Sequence, residues 1–140
     1  MSGINVGRVI VGGLLAGLVV NVSEFVLNTF VVAKDMEAAM KAMNLPAMDP
    51  SQIPYFVVFS FALGIVTVWL YAAIRSRFGP GVPTAAYAAL TVWFLAYLYP
   101  TLFFLVLHIF PVKALIISAG WGLVEILVAG IAGAWAYTEA

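Results

Sequence analysis

Two carboxylates stand inside runs that are otherwise soluble in lipid. Glu24 belongs to "NVSEFVLN" (residues 21–28), where Asn21, Ser23 and Asn28 surround it, with "VIVGGLLAGLVV" before and "TFVV" after. Glu125 belongs to "GWGLVEILVAG". An acidic residue at the centre of a membrane helix costs about 2.5–3.5 kcal/mol on insertion scales, so it needs compensation. Three forms exist: a protonated, neutral acid; hydrogen bonds to Asn21, Asn28, Ser23 or a tyrosine; or a bound cation or partner charge. All six basic residues, Arg8, Lys34, Lys41, Arg75, Arg77 and Lys113, lie near helix ends or in loops. Neither acid therefore has an internal cation from its own chain. If the two acids meet, they share a proton and titrate as a pair.

The residues spaced around each acid say which way it points. At 100° per residue, Gly13, Gly17, Asn21, Glu24 and Asn28 fall within an arc of about 80°. Ser118, Gly122, Glu125, Ala129, Ala132 and Gly133 fall within about 100°. Small residues four apart, as in Gly13 and Gly17, Ser118 and Gly122, or Ala129 and Gly133, let membrane helices approach closely. Both acids share the face of these helix-packing residues and are expected to face protein rather than lipid.

The elements that must carry these residues follow from composition. Hydrophobic residues make up 65% of the 140 and charged residues 9%, against roughly half and a quarter in soluble domains. Four apolar stretches, near residues 9–32, 53–74, 84–110 and 111–137, are each long enough to cross a hydrocarbon core of about 30 Å. Backbone groups in lipid must pair internally, and the alternating strands of a barrel are absent, so the expected fold is all-α. It is a single domain, residues 1–140, forming a four-transmembrane-helix bundle. Between the first two spans, Met36, Met40 and Met43 recur at helical spacing and Pro46 ends the pattern. This predicts a short amphipathic interfacial helix. Pro100 is expected to kink the third span, Thr84 to cap its start, and Pro111 to open the fourth.

Lysine and arginine divide three against three between the two sides of the membrane. The "RSR" pair beside the second span tips the balance toward cytoplasmic termini, and a weak bias of this kind also permits both orientations and antiparallel dimers. Arg8 precedes an apolar run as in a signal peptide, yet residues 21–24 offer no small-x-small cleavage site, so the first helix is expected to be retained. Trp69, Tyr71, Tyr87, Trp135 and Tyr137 would form an interfacial belt on one side, with Tyr55 and Trp121 on the other.

Other chemistries find little support. Cysteine is absent, which removes thiolate metal sites, iron–sulfur clusters and cysteine nucleophiles. Six acidic residues balance the six basic ones, so nothing suggests nucleic acid as a partner. "FGPGVPT" lacks the lysine of a phosphate loop. His108, the lone histidine, cannot build a zinc site; haem or pigment ligation is open to it, as Cu(I) is to the loop methionines. The aromatics Trp93, Phe94, Tyr97, Tyr99, Phe103 and Phe104 could line a quinone or carotenoid groove, or simply pack.

The stretches "GRVIVGGLLAGLVVNVSEFVLN", "WLYAAIRSRFGPG" and "GWGLVEILVAGIAGAW" resemble small, uncharacterised bacterial four-helix integral membrane proteins across the whole chain. That likeness implies a bacterial inner-membrane location and no particular activity. Glu24 and "PTAAYAALTVW" are similar, to a lesser degree, to small multidrug resistance transporters. The chain differs from those in its long methionine loop, its second acid at Glu125 and its greater length. No catalytic residues, metal or cofactor are expected, and no enzyme. The leading expectation is a non-catalytic subunit or self-associating bundle in the lipid bilayer, a homo-oligomer or part of a larger complex, with a buried polar site around Glu24 and Glu125. The alternative is a proton- or cation-coupled small transporter or channel.

Overall fold

A computed structural model describes residues 3–139; residues 1, 2 and 140 of the expected domain lie outside the described residues. The described chain is helical throughout, without strands. Helix α1 (Val6–Val26) runs into a π turn at Leu27–Val31, followed by α2 (Ala33–Ala42). Helix α3 (Ile53–Phe78) turns into α4 (Val82–Trp93), which passes through a second π turn, Phe94–Leu98, into α5 (Tyr99–Leu107). Helix α6 (Val112–Ala136) closes the chain. Four helical stretches, Val6–Val31, Pro50–Phe78, Val82–Leu107 and Val112–Ala136, are long and apolar enough to span a membrane.

The boundaries differ from expectation where hydropathy and helicity part company. The second span continues to Phe78 and takes Arg75 and Arg77 into its last turn, where cations complement the carbonyl end of the helix. The third span stops at Leu107 because His108 adopts a left-handed conformation, φ 55°. Thr84 does not cap α4; it lies inside the helix and donates its hydroxyl to the Gly79 carbonyl at 2.6 Å. Pro111 stands just before the first turn of α6 rather than in it. Pro100 does interrupt its span: lacking an N–H, it leaves the Ala96 carbonyl without its usual donor. The chain accommodates this with the preceding π turn, in which the Tyr99 N–H reaches back to the Phe94 carbonyl.

The helices form a four-membered ring in which α1 lies between α3 and α6, and α4 touches both α3 and α6. Glycines set the closest approaches. A Cβ on Gly13 would lie 2.5 Å from Ile65 Cα, and one on Gly12 would lie 2.5 Å from the Gly133 carbonyl oxygen. Backbone thus meets backbone between α1 and α3 and between α1 and α6. Around these contacts Ala16, Val20, Val68, Ala88, Ala89, Ile126 and Ala129 form the core.

The end of the bundle that carries the chain termini is locked by two tyrosines. Tyr71 accepts a hydrogen bond from the Gly81 N–H, Tyr137 accepts one from the Asn5 N–H, both at 3.1 Å, and their rings meet edge to face at 6.0 Å. The Arg75 guanidinium lies 5.5 Å over the Tyr137 ring and 3.8 Å from Glu139. Both tyrosines are buried, whereas Trp69, Tyr87 and Trp135 of the expected belt are exposed. At the other end, the Ser51 N–H donates to Asp49 and the Asp49 N–H donates to Gln52, which starts the turn leading into α3. The bonds from Ser51 hold the Asp49 carboxyl below the usual carboxylate range.

Candidate functional site

Glu24 ends the regular part of α1 and Glu125 sits near the middle of α6. These helices are in contact and, three chain reversals apart, run in opposite directions. Glu125 is buried at 4% exposure and Glu24 is half-buried. One Glu125 oxygen, Oε2, accepts the Tyr97 phenol proton at 2.7 Å. The other, Oε1, is buried without a hydrogen-bond partner, and the polar groups beside this carboxyl, Tyr97 aside, are Glu24 and Ser23. Two ionised carboxylates offer only lone pairs to each other. A proton on either one converts the contact into a hydrogen bond.

The surrounding groups fix this pair from three directions. Asn28, one helical turn beyond Glu24, donates its amide to Glu24 Oε2 at 3.0 Å and to the Glu24 carbonyl at 2.9 Å. Trp121, one turn before Glu125, donates its indole N–H to Ser23 Oγ at 2.8 Å, binding α6 to α1 beside the acids. Trp93 donates to the Ala119 carbonyl at 2.9 Å and holds the third span against α6. The Tyr97 ring lies directly on Gly122, where a Cβ would come within 2.8 Å of ring atom Cε1. Glycine at 122 is thus the seat that lets the phenol reach Glu125.

Neither acid forms an ion pair with lysine or arginine among the described residues; the Arg75–Glu139 pair is at the terminal end. The acids lie between two openings. A cleft of about 310 Å³ between α1 and the third span is lined by Glu24, Asn28, Tyr97, Thr101, Phe104 and Ser118. A groove of about 340 Å³ between α1 and α6 is lined by Ser23, Trp121, Glu125 and the valines 19, 124 and 128. Both π turns border the polar cleft, through Leu27 and Asn28 on one wall and Ala96 and Tyr97 on the other. Such turns are frequent at functional sites.

The residues singled out in the sequence divide into three groups. Glu24, Glu125, Ser23 and Asn28 come together; Glu24 and Asn28 line the cleft with Ser118, while Ser23 and Glu125 line the groove between α1 and α6. Asn21 does not join them; its amide is directed at the Val57 carbonyl of α3, 3.4 Å away. Gly13 and Gly17 pack against α3 at Ile65 and Phe61, Gly133 packs against Gly12, and Ala129 is fully buried. Gly13, Gly17, Ala129 and Gly133 of the predicted small-residue stripes are therefore filled within one chain, whereas Ser118 lines the open cleft. His108 is exposed at the end of α5, and Met36 packs against Leu27, Val32 and Ala114.

Two site residues were not singled out for this role. Tyr97 reads in the sequence as one aromatic among six, and Trp121 as an interfacial ring. Pro100, three residues after Tyr97, was the available signal, because a proline inside a span forces a local change of helical register. Spacing gave a signal for Trp121, which shares a face with Glu125 at i and i+4.

Together, the fold and the site define a membrane-length four-helix bundle with a paired-acid centre inside the spans. Comparison with protein-family models, with curated proteins and with solved structures finds no match.

Proposed function

We propose that this chain is a small integral membrane protein in which Glu24 and Glu125 hold one proton between them and exchange it with the polar cleft, as in a proton-coupled carrier of small solutes. The carrying observation is the arrangement at Glu125: one oxygen on Tyr97, the other buried and unpartnered beside a second acid, with no basic residue in attendance. Because a buried uncompensated charge pair is costly, a shared proton accounts for the geometry. Because Glu24 lines an open polar cleft, that proton has a way in and out. Intramembrane acids commonly serve this purpose.

The subunit reading relied on small-residue stripes being available for contact between chains. In the bundle the glycines of those stripes are occupied by α1, α3 and Tyr97 of the same chain, which favours the carrier reading. Self-association then falls to the third span, where Phe94, Leu95, Tyr99, Leu102, Phe103 and Val106 are exposed. In the membrane, α2 rests on the surface: Met36 packs toward the bundle while Lys34, Glu37 and Lys41 are exposed. We place the chain in a bacterial inner membrane with both termini cytoplasmic.

The experiment is proton flux in reconstituted vesicles driven by a pH gradient, comparing the natural chain with Glu24→Gln and Glu125→Gln. Loss of flux in either variant, with assembly and melting temperature retained, supports the carrier. Equal flux in all three rejects it and returns the site to a packing role.

A further inference from the structure

The polar cleft presents acceptors far more than donors. The Asn28 amide donates to Glu24, which leaves its carbonyl oxygen open. The Tyr97 phenol donates to Glu125, and the Thr101 hydroxyl donates to the Tyr97 carbonyl at 2.6 Å. Pro100 deprives the Ala96 carbonyl of its i+4 donor, and Ala96 lines the same cleft. Behind Glu24 stands Glu125, 4% exposed, with Oε1 unpartnered. No lysine or arginine lines the cleft. The Ser118 hydroxyl, able to accept as well as donate, also lines the cleft, and the rest of the wall is apolar, formed by Leu27, Pro100, Phe104 and Ala119.

A ligand complementary to this surface carries positive charge, several N–H donors and a short apolar tail. We propose that the cleft binds a primary alkylammonium, its N–H groups directed to Glu24, the Asn28 carbonyl oxygen and the Ala96 carbonyl, its tail along Leu27 and Phe104. An ammonium has three donors for three acceptors. A quaternary ammonium has the charge without the donors, and an alcohol has one donor without the charge. At about 30 Å³ per water-sized group, a cleft of 310 Å³ takes roughly ten such groups, which suits a chain of about six carbons. This inference rests on the acid pair described above and names the solute that the pair would recognise.

The test is calorimetric titration of the full chain in phosphatidylcholine nanodiscs, whose lipid bears no primary ammonium. The probes are n-hexylammonium, hexyltrimethylammonium and n-hexanol. Binding of n-hexylammonium at least tenfold tighter than either of the others supports the proposal. Glu24→Gln is expected to abolish it. Phe104→Trp, which narrows the cleft without altering an acid, is expected to weaken it at least fivefold while the melting temperature is retained. Equal affinity for the three probes, or binding untouched by Phe104→Trp, overturns it. If proton flux depends on Glu24 and yet no amine binds, the ligand assignment fails and the proton site stands. If phosphatidylethanolamine nanodiscs alone occupy the cleft, blocking later amine binding, the ammonium source is a lipid headgroup and the free amine is overturned.

Discussion

The two halves of the bundle are built from the same four spans and packed in opposite ways. Toward the chain termini, helices meet through Gly12, Gly13, Gly17, Gly64 and Gly133, with alanines filling the angles between them. Toward the opposite end, α3 begins with exposed Tyr55, Phe56, Val57, Val58 and Phe59, and α5 buries no residue at all. Where side chains are absent, backbones touch and little space is left. Where they are large and face outward, the helices separate and a cleft remains. The acids sit at the junction, close enough to the tight half to be held and close enough to the loose half to be reached. Helix association in a membrane depends on packing rather than on hydrophobic drive, so an uneven distribution of glycine is sufficient to make one half rigid and the other open.

That contrast can be broken at its strongest point by Gly64→Leu. A Cβ there meets the Gly13 and Gly17 backbone, which cannot move aside as a flexible side chain would. Overpacking costs about 1–3 kcal/mol and sometimes more. The expected outcome is the largest loss in this series, read as a drop in melting temperature in detergent, with aggregation at the upper end. A bulky substitution on the loose side, Val58→Leu, should leave melting within error.

Gly122→Ala tests the junction. The added methyl group occupies the position of the Tyr97 ring, and the phenol must leave Glu125 or α6 must retreat. A destabilisation of about 1–2 kcal/mol is expected, together with altered proton flux. Tyr97→Phe is gentler, removing one hydrogen bond to Glu125 and no volume. Polar contacts between membrane helices average about 0.6 kcal/mol, with about 1.7 at the upper end, so a coupling of about 1 kcal/mol is expected in a double-mutant cycle with Glu125→Leu, which removes the acceptor. Additive effects of the two changes would show that the bond contributes nothing.

The smallest effect belongs to Asp49, fully exposed at the start of the second span. Its carboxyl titrates below the ordinary range because the Ser51 N–H bonds hold the ionised form. The stabilisation is present above the unfolded carboxylate range and fades as pH falls through the folded value. Asp49→Asn should therefore flatten a slight acid-side loss of stability below about pH 4 and alter little at neutral pH. Identical melting profiles for the two chains from neutral to acid pH would remove this cap from the account.

Much of this architecture was legible in the residue order. Uninterrupted apolar length marks the four spans, and the 3.6-residue period places Glu24 and Glu125 on the small-residue face of each helix. Periodicity gives a face but not the neighbour on that face. Gly13 and Gly17 pack on α3, while the contact with α6 uses Gly12, one position off the projected stripe. Asn21 follows the same glycines toward α3 and so leaves the acid pair. Tyr97 was hidden for a different reason: the π turn at Phe94–Leu98 shifts the register of the third span, and a regular 100° projection loses the phase there. Hydropathy also ends the second span too early, because Arg75 and Arg77 reduce local hydrophobicity without ending the helix.

The meeting of Glu24 and Glu125 inside one chain supports everything said about the site. The natural sequence contains no cysteine, so a chain carrying Glu24→Cys and Glu125→Cys has only those two thiols. Treated in native-like vesicles with a short bifunctional thiol reagent, the double variant is predicted to form a cross-link within the monomer, found by mass spectrometry as one joined pair of peptides and no dimer. Free thiols at both positions, or a link formed only between two chains, would contradict the account.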